Sequence, residues 1–281
     1  MSINHDDVLD VALSAGLEAG QLLSGYSVRL EQRPDFGDQA QWTKSSGRDL
    51  ATEADVAAER ALVARLREAF PDHAIEAEEE VVDAGHRREG ARWFLDPLDG
   101  TINFVHNLPA WCVSLALYVD GVPEVGVIHA PKLGETFHAV RGRGAFLNGQ
   151  PLRVSEPAGL LDCVLATGFP YRRGELGNDN RGNFNDLFYD IRGIRRMGSA
   201  AIDLAFTAAG RLDGYWELHL KSHDVAAGAL LVREAGGLVT DVDGGESWLD
   251  GRSILAAGPR VHGLLQERLS GPDVAGPGAL T

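Results

Sequence analysis

Arg92-Trp-Phe-Leu-Asp-Pro-Leu-Asp-Gly-Thr-Ile-Asn-Phe104 is the stretch on which the reading of this chain turns. An apolar run ends in Asp96, Pro97 interrupts it, and Asp99-Gly100-Thr101 turns the chain into a helical segment. That arrangement sets two carboxylates, a hydroxyl and backbone N–H groups around one small volume at a strand end. Hard divalent cations take oxygen ligands, and Mg²⁺ in particular takes a few carboxylates together with waters and substrate phosphate. A helix N-terminus adds amides that can receive a phosphate. The pattern points to metal-assisted phosphate chemistry. By themselves the same residues also describe a strand, a Pro-Asp-Gly turn and an N-capped helix. Acidic residues elsewhere tip the balance.

The chain has 281 residues, enough for a substantial core built as one large domain or as two intimately packed halves. No apolar run approaches the roughly 18 residues of a membrane helix. The start, Met-Ser-Ile-Asn-His-Asp-Asp, lacks the basic and apolar regions of a signal peptide. Cys112 and Cys163 lie inside apolar segments and read as buried free thiols of a reducing compartment. A cytoplasmic location with no membrane contact is expected. The net charge of −15 argues against a nucleic-acid surface, which needs basic patches. It is also awkward for binding a phosphate ester, unless cations held by an acidic cluster reverse the local sign.

Apolar spacing predicts a helix over about 6–23 and a polar loop or irregular hairpin over 33–47. Thr52-Glu-Ala-Asp55 opens a helix with a capping box, and Pro71 ends it after Phe70. Trp111 to Val119, Val122 to Ala130 and Glu135 to Val140 then read as strands, with tight turns at Asp120-Gly121 and Asn148-Gly149. Arg141-Gly-Arg-Gly144 reads as a β-turn, since no strand–GxGxxG–helix context surrounds it. Further strands are expected near 163–167, 214–218, 237–242 and 253–257. They alternate with helices near 176–189, 199–209, 223–235 and 260–269. The fold class is therefore α+β in front and α/β behind. The organisation is an N-terminal half over 1–151, a C-terminal half over 152–270 and a Gly/Pro-rich disordered tail over 271–281.

Glu78-Glu79-Glu80 ends a short strand, Asp224 opens a helix, and Asp55 is the back-reaching member of its capping box. Each has an ordinary explanation as a solvated face or a cap. Together with the opening stretch they form an ordered set of blocks. These are Lys44-Ser-Ser-Gly-Arg-Asp-Leu-Ala-Thr-Glu-Ala-Asp55, Phe70-Pro-Asp-His followed by Glu78-Glu79, the 93–104 block, Met197-Gly-Ser-Ala-Ala201, and Trp216-Glu217 with Asp224-Val-Ala-Ala-Gly228 and Glu234-Ala-Gly-Gly237. In these blocks the chain resembles the inositol monophosphatase family, within the superfamily of lithium-sensitive, Mg²⁺-dependent phosphatases that includes fructose-1,6-bisphosphatase. The resemblance covers about residues 5–270, and Thr167-Gly-Phe-Pro-Tyr171 is similar to the bacterial branch.

The resemblance implies a layered α-β-α-β-α sandwich and a homodimer using about two to three Mg²⁺ per active site. It implies one metal site from Glu78, Asp96 and the backbone carbonyl of Leu98, and a second from Asp96, Asp99 and Asp224. A third, more hydrated, would lean on Glu78. Asp55 and Thr101 would orient the attacking water, with Glu78 also in a catalytic role. The amides of Gly100 and Thr101 would hold the phosphate. Asp99, Gly198-Ser199-Ala200 and Glu217 would meet substrate hydroxyls.

Two positions depart from the family pattern. His223 stands where a Trp is common, and Ser222 where Cys or Pro is frequent. Imidazole is a poor match for Mg²⁺, so His223 is expected to pack or to line the substrate. The remaining histidines show no zinc-like spacing. The implied activity is hydrolysis of a small polyol phosphate, with myo-inositol 1-phosphate the default substrate. Histidinol phosphate, fructose 1,6-bisphosphate and 3′-phosphoadenosine 5′-phosphate are the alternatives within the class. Glu217 favours a polyol or amine-bearing substrate over a second phosphate. From another class comes a regulatory binding protein with incidental phosphatase activity, since some bacterial family members act on the transcription machinery.

Overall fold

Apolar residues at helical spacing place Val8, Ala12, Ala15, Ala19 and Leu23 on one buried stripe of α1 (His5–Gln32). The helix runs past the expected end because Ser27 and Leu30 continue that stripe. The structure, a computed structural model, describes residues 4–32, 41–43, 50–85 and 88–271. In the segment expected to be a loop or irregular hairpin, β1 (Gln41–Thr43) pairs antiparallel with β2 (Leu50–Thr52). The 33–40 stretch and Lys44 lie outside the described residues, as does the tail beyond Gly271. Helix α2 (Glu53–Ala69) starts at the expected capping box. Thr52 Oγ1 accepts the Ala54 amide at 3.1 Å, and Asp55 Oδ2 takes the Thr52 amide at 2.8 Å.

A seven-stranded sheet follows in strict chain order. Its strands are β3 (Ala74–Ala77), β4 (Ala91–Asp99), β5 (Cys112–Val119), β6 (Val122–Ala130), β7 (Glu135–Val140), β8 (Gly144–Leu147) and β9 (Gln150–Pro151), with the short helix α3 (Thr101–Val105) after β4. β3 runs parallel to β4, and the rest is an antiparallel meander. Both predicted two-residue turns hold positive φ at both positions, 50° and 77° at Asp120-Gly121 and 47° and 79° at Asn148-Gly149. One expectation is corrected: β4 does not stop at Asp96 but continues through Pro97 to Asp99. Pro97 has no N–H to give the ladder, and the register against β5 shifts between Asp96 and Asp99.

The second half contributes β10 (Val164–Thr167), α4 (Arg181–Leu187), β11 (Gly193–Arg195), α5 (Ala200–Ala208), β12 (Gly214–Leu218), α6 (Ser222–Glu234), β13 (Leu238–Thr240), β14 (Ser253–Ala257) and α7 (Pro259–Gln266). Its five-stranded sheet has the order β11-β10-β12-β14-β13. Strand β11, like β8 and β9, is too short to show a period in the sequence. The α/β reading of this half holds for the parallel β11-β10-β12 part, whereas β12-β14-β13 is antiparallel.

Side-chain alternation builds the layers. Trp93 and Leu95 of β4 face α1 and α2, with Leu115, Leu117 and Val127 on the same side. Phe94, Ala116, Tyr118 and Ile128 face the opposite way, onto α5 and α6. Those two helices fill the space between the sheets, meeting Tyr215 and Ile254 on the far side. The outer face of the second sheet, Leu165, Trp216 and Leu255, is covered by Leu187 of α4 and by Val261 and Leu265 of α7. The result is the layered α-β-α-β-α sandwich. A sheet covered on both faces requires near-continuous apolar strands, which explains the unbroken runs in β4 and β5. The central layer is tight: a Cβ on Gly228 of α6 would lie 2.4 Å from Leu204 Cβ of α5. Cys112 and Cys163 are buried and unbridged, as expected. No helix among the described residues is long and apolar enough to cross a membrane.

Candidate active site

A cleft of about 640 Å³ opens beside the ends of β3, β4 and β12, and Glu78, Asp99, Ser199, Glu217, His223 and Asp224 line it. Four local devices deliver these groups. The bend after β3 carries Glu78, the shifted end of β4 carries Asp96 and Asp99, β12 carries Glu217, and the first turns of α5 and α6 bring Ser199 and Asp224. Helices α5 and α6 thus point their positive ends at the cleft.

Beneath it, Thr101 Oγ1 lies 3.0 Å from Asp55 Oδ1 and 3.1 Å from the Leu98 carbonyl oxygen. Asp55 is held by α2, where Thr52 supplies both its amide and its hydroxyl to Asp55 Oδ2 at 2.8 and 2.5 Å. The capping box of the sequence reading therefore has a second use: it aims the other carboxylate oxygen at Thr101. Gly100 sits between, at φ 94°, where a Cβ would meet the Ala110 carbonyl oxygen at 2.8 Å. Only glycine fits this turn.

Ligand atoms of Glu78, Asp96 and His223 all lie within 4.8 Å of one another. Two of the three are carboxylates, so the donor set suits a divalent cation. Asp96 Oδ1 also takes the Leu98 amide at 3.0 Å, which fixes its orientation. Asp99 and Asp224, expected to share a second ion with Asp96, stand outside this tightest grouping but border it. Asp224 Oδ1 is 3.6 Å from His223 Nε2, and Asp224 Oδ2 takes the Lys221 amide at 2.6 Å. Burial and then the charge of Asp224 push the Asp99 carboxyl up to about 7. Burial also raises Asp224, against the opposing pull of His223. Carboxylates crowded in this way carry negative charge that a cation would neutralise, which is the second sign that the residues fit one.

The expected substrate side is assembled as well. Ser199 Oγ donates to Asp99 Oδ2 at 2.6 Å and accepts the Ile202 amide at 3.2 Å, while the Ala201 amide reaches Asp99 Oδ2 at 2.7 Å. Gly198 takes φ 88° beside Asn103, whose Nδ2 donates to the Met197 and Ala110 carbonyls at 2.8 and 2.6 Å. Glu217 Oε2 accepts the Tyr215 hydroxyl at 2.6 Å. Burial pushes Glu217 up to about 7, with Tyr215 and Arg196 pulling the other way.

Several contributors escaped the sequence reading. Glu59, buried in α2, takes the amides of Glu79, Glu80 and Val81 at 2.7, 2.7 and 3.0 Å and so shapes the bend that presents Glu78. Its signal was available: an acidic residue four positions after Asp55, on the same face of the helix. Asn180 Oδ1 takes Trp216 Nε1 at 2.8 Å, and its Nδ2 reaches the Gly168 carbonyl at 2.7 Å, bracing the Phe169-Pro170-Tyr171 wall. Lys221, which no sequence spacing disclosed, also lines the cleft beside Arg172 and Arg196.

The chain matches the Inositol monophosphatase family over residues 4–271, and it belongs to that family. It is 44% identical over 255 residues to a Nus factor SuhB of Pasteurella multocida, covering 90% of this chain and 92% of the relative. It is 39% identical over 271 residues to an inositol-1-monophosphatase of Mesorhizobium japonicum, covering 94% and 97%. An inositol monophosphatase structure from Anabaena superposes with TM-score 0.83 at 39% identity, over 95% of this chain and 96% of that one.

Proposed function

We propose that this chain is a Mg²⁺-dependent phosphomonoesterase acting on a small polyol phosphate, with myo-inositol 1-phosphate the leading candidate. The observation that carries the reading is the Asp55–Thr101 hydrogen bond at 3.0 Å, set two residues beyond the Asp96/Asp99 carboxylate pair. Glu78, Asp96 and the Leu98 carbonyl would hold one ion; Asp96, Asp99 and Asp224 would hold a second; and a third would lean on Glu78. Bound Mg²⁺ supplies charge neutralisation for the phosphate and a lowered pKa for water. Asp55 accepts a hydrogen bond from the Thr101 hydroxyl, which leaves the Thr101 lone pairs to accept from a water and orient it. Glu78 flanks that position. The Gly100 and Thr101 amides receive phosphate oxygens. Asp99, the Gly198-Ser199-Ala200 turn and Glu217 meet substrate hydroxyls; a carboxyl near neutrality, as Glu217 is, serves as donor or acceptor.

The same reading makes the protein a cytoplasmic homodimer, with its acidic surface turned from nucleic acid. The test is phosphate release from inositol 1-phosphate, histidinol phosphate, fructose 1,6-bisphosphate and 3′-phosphoadenosine 5′-phosphate. Asp96→Asn and Asp224→Asn should each lower turnover by about a hundredfold or more. Folded, metal-loaded protein that turns over none of the four would sink the reading, as would full activity in both variants. The SuhB-named relative favours a second reading, a regulatory binding protein. An Asp96→Asn protein that loses turnover yet keeps its cellular role would reverse the ranking.

A further inference from the structure

His223 is one of the two positions noted as departures in the sequence, and the structure puts it against the acidic cluster. One ring nitrogen lies within 4.8 Å of ligand oxygens of both Glu78 and Asp96. The residue is 5% exposed. Its Nε2 is buried, has no hydrogen-bond partner, and stands 3.6 Å from Asp224 Oδ1, beyond hydrogen-bond reach. A buried ring nitrogen without a partner costs stability unless something occupies it. The expectation from sequence, a packing or substrate-lining residue, accounts for the burial but leaves this nitrogen unsatisfied.

We propose that His223 is a nitrogen ligand of the metal cluster, making this a mixed nitrogen–oxygen site that prefers transition-metal ions. The assignment rests on the carboxylate site proposed above. Imidazole suits Zn²⁺ and Co²⁺ better than Mn²⁺, whereas Mg²⁺ selects oxygen. An imidazole added to Glu78 and Asp96 therefore raises affinity for Co²⁺ and Zn²⁺ most, for Mn²⁺ less, and does little for Mg²⁺. The position fits the role: as the second residue of α6 it is held next to Asp224, and Ser222 is tied across the cleft by its hydroxyl to Glu76 Oε1 at 2.5 Å. That contact fixes the start of the helix and with it the ring.

The experiment is electron spin-echo spectroscopy of Mn²⁺ bound to the full-length protein, prepared with natural-abundance and with ¹⁵N-histidine labelling. A directly bound histidine nitrogen gives ¹⁴N modulation that changes to the ¹⁵N pattern on labelling, and this needs no variant. Competition of Co²⁺ against Mg²⁺ in native protein and in His223→Gln should then show the Co²⁺ preference falling by about tenfold in the variant. Mn²⁺ that binds without histidine modulation overturns the assignment and leaves the carboxylate site standing. Failure of Mn²⁺ to bind at all overturns both.

Discussion

Thr101 has a single hydroxyl proton and two acceptors in reach, Asp55 Oδ1 at 3.0 Å and the Leu98 carbonyl at 3.1 Å. An ionised carboxylate is the stronger acceptor, so the proton points to Asp55 and the lone pairs face away from it. Thr101→Ala removes the acceptor proposed for water and leaves the Gly100 and Thr101 amides in place. Its kcat should fall by about a hundredfold with KM nearly unchanged, and Thr101→Ser should recover most of the loss. Steady-state kinetics on the three proteins checks this; a KM effect with unchanged kcat would assign Thr101 to binding. Glu59 illustrates a different kind of residue. It bonds three backbone amides and acts only by shaping the bend that holds Glu78.

At the level of elements, α6 decides where Asp224 stands. It is wedged between the sheets, with Tyr118 Oη donating to the Ala226 carbonyl at 3.0 Å and Gly228 against Leu204. The small residues of Asp224-Val-Ala-Ala-Gly228 are thus a packing requirement. A Cβ at Gly228 would meet Leu204 Cβ, an atom with no free rotation to escape. Gly228→Ala should destabilise the protein by about 1–3 kcal/mol. By contrast, Gly263→Ala in α7 meets nothing within 4 Å and should be neutral or stabilising by up to about 1 kcal/mol. Urea midpoints of the two variants test the pair, and equal midpoints would contradict the packing account.

Across the whole molecule, a buried carboxylate cluster makes stability depend on pH and on metal together. Asp99 moves from an ordinary 3.8 to about 7, and Glu217 from 4.5 to about 7. Between those limits the native state holds protons that the unfolded chain has released. Stability without metal is therefore highest at the acid end of this window and falls as pH rises through 7. Metal-stripped protein should have a higher Tm near pH 5 than near pH 8, by about 4 °C or more. Mg²⁺ should restore the loss at pH 8 and do little at pH 5. Thermal melts with chelator and with Mg²⁺ measure this, and a flat profile without metal would rule out the crowding.

The sequence by itself determined what local chemistry encodes. The capping box at Thr52, the Asp120-Gly121 and Asn148-Gly149 turns, and the long strands of the first sheet were legible, because caps, turns and continuous apolar runs involve neighbours in the chain. The Asp96-to-Thr101 stretch was legible as a concentration of carboxylates and a hydroxyl leading into a helix, and ordered blocks allowed Glu78, Asp224 and Glu217 to be named. Tertiary structure alone decided the rest. Strands β8, β9 and β11 exist only because an adjacent strand templates them. Pro97 stays within β4 because β5 accommodates the shift. Glu59 and Asn180 gain their parts, and His223 its place beside Glu78 and Asp96, from chain segments far away in sequence. A side chain's partners are set by how the layers pack, and no spacing along the chain records that distance.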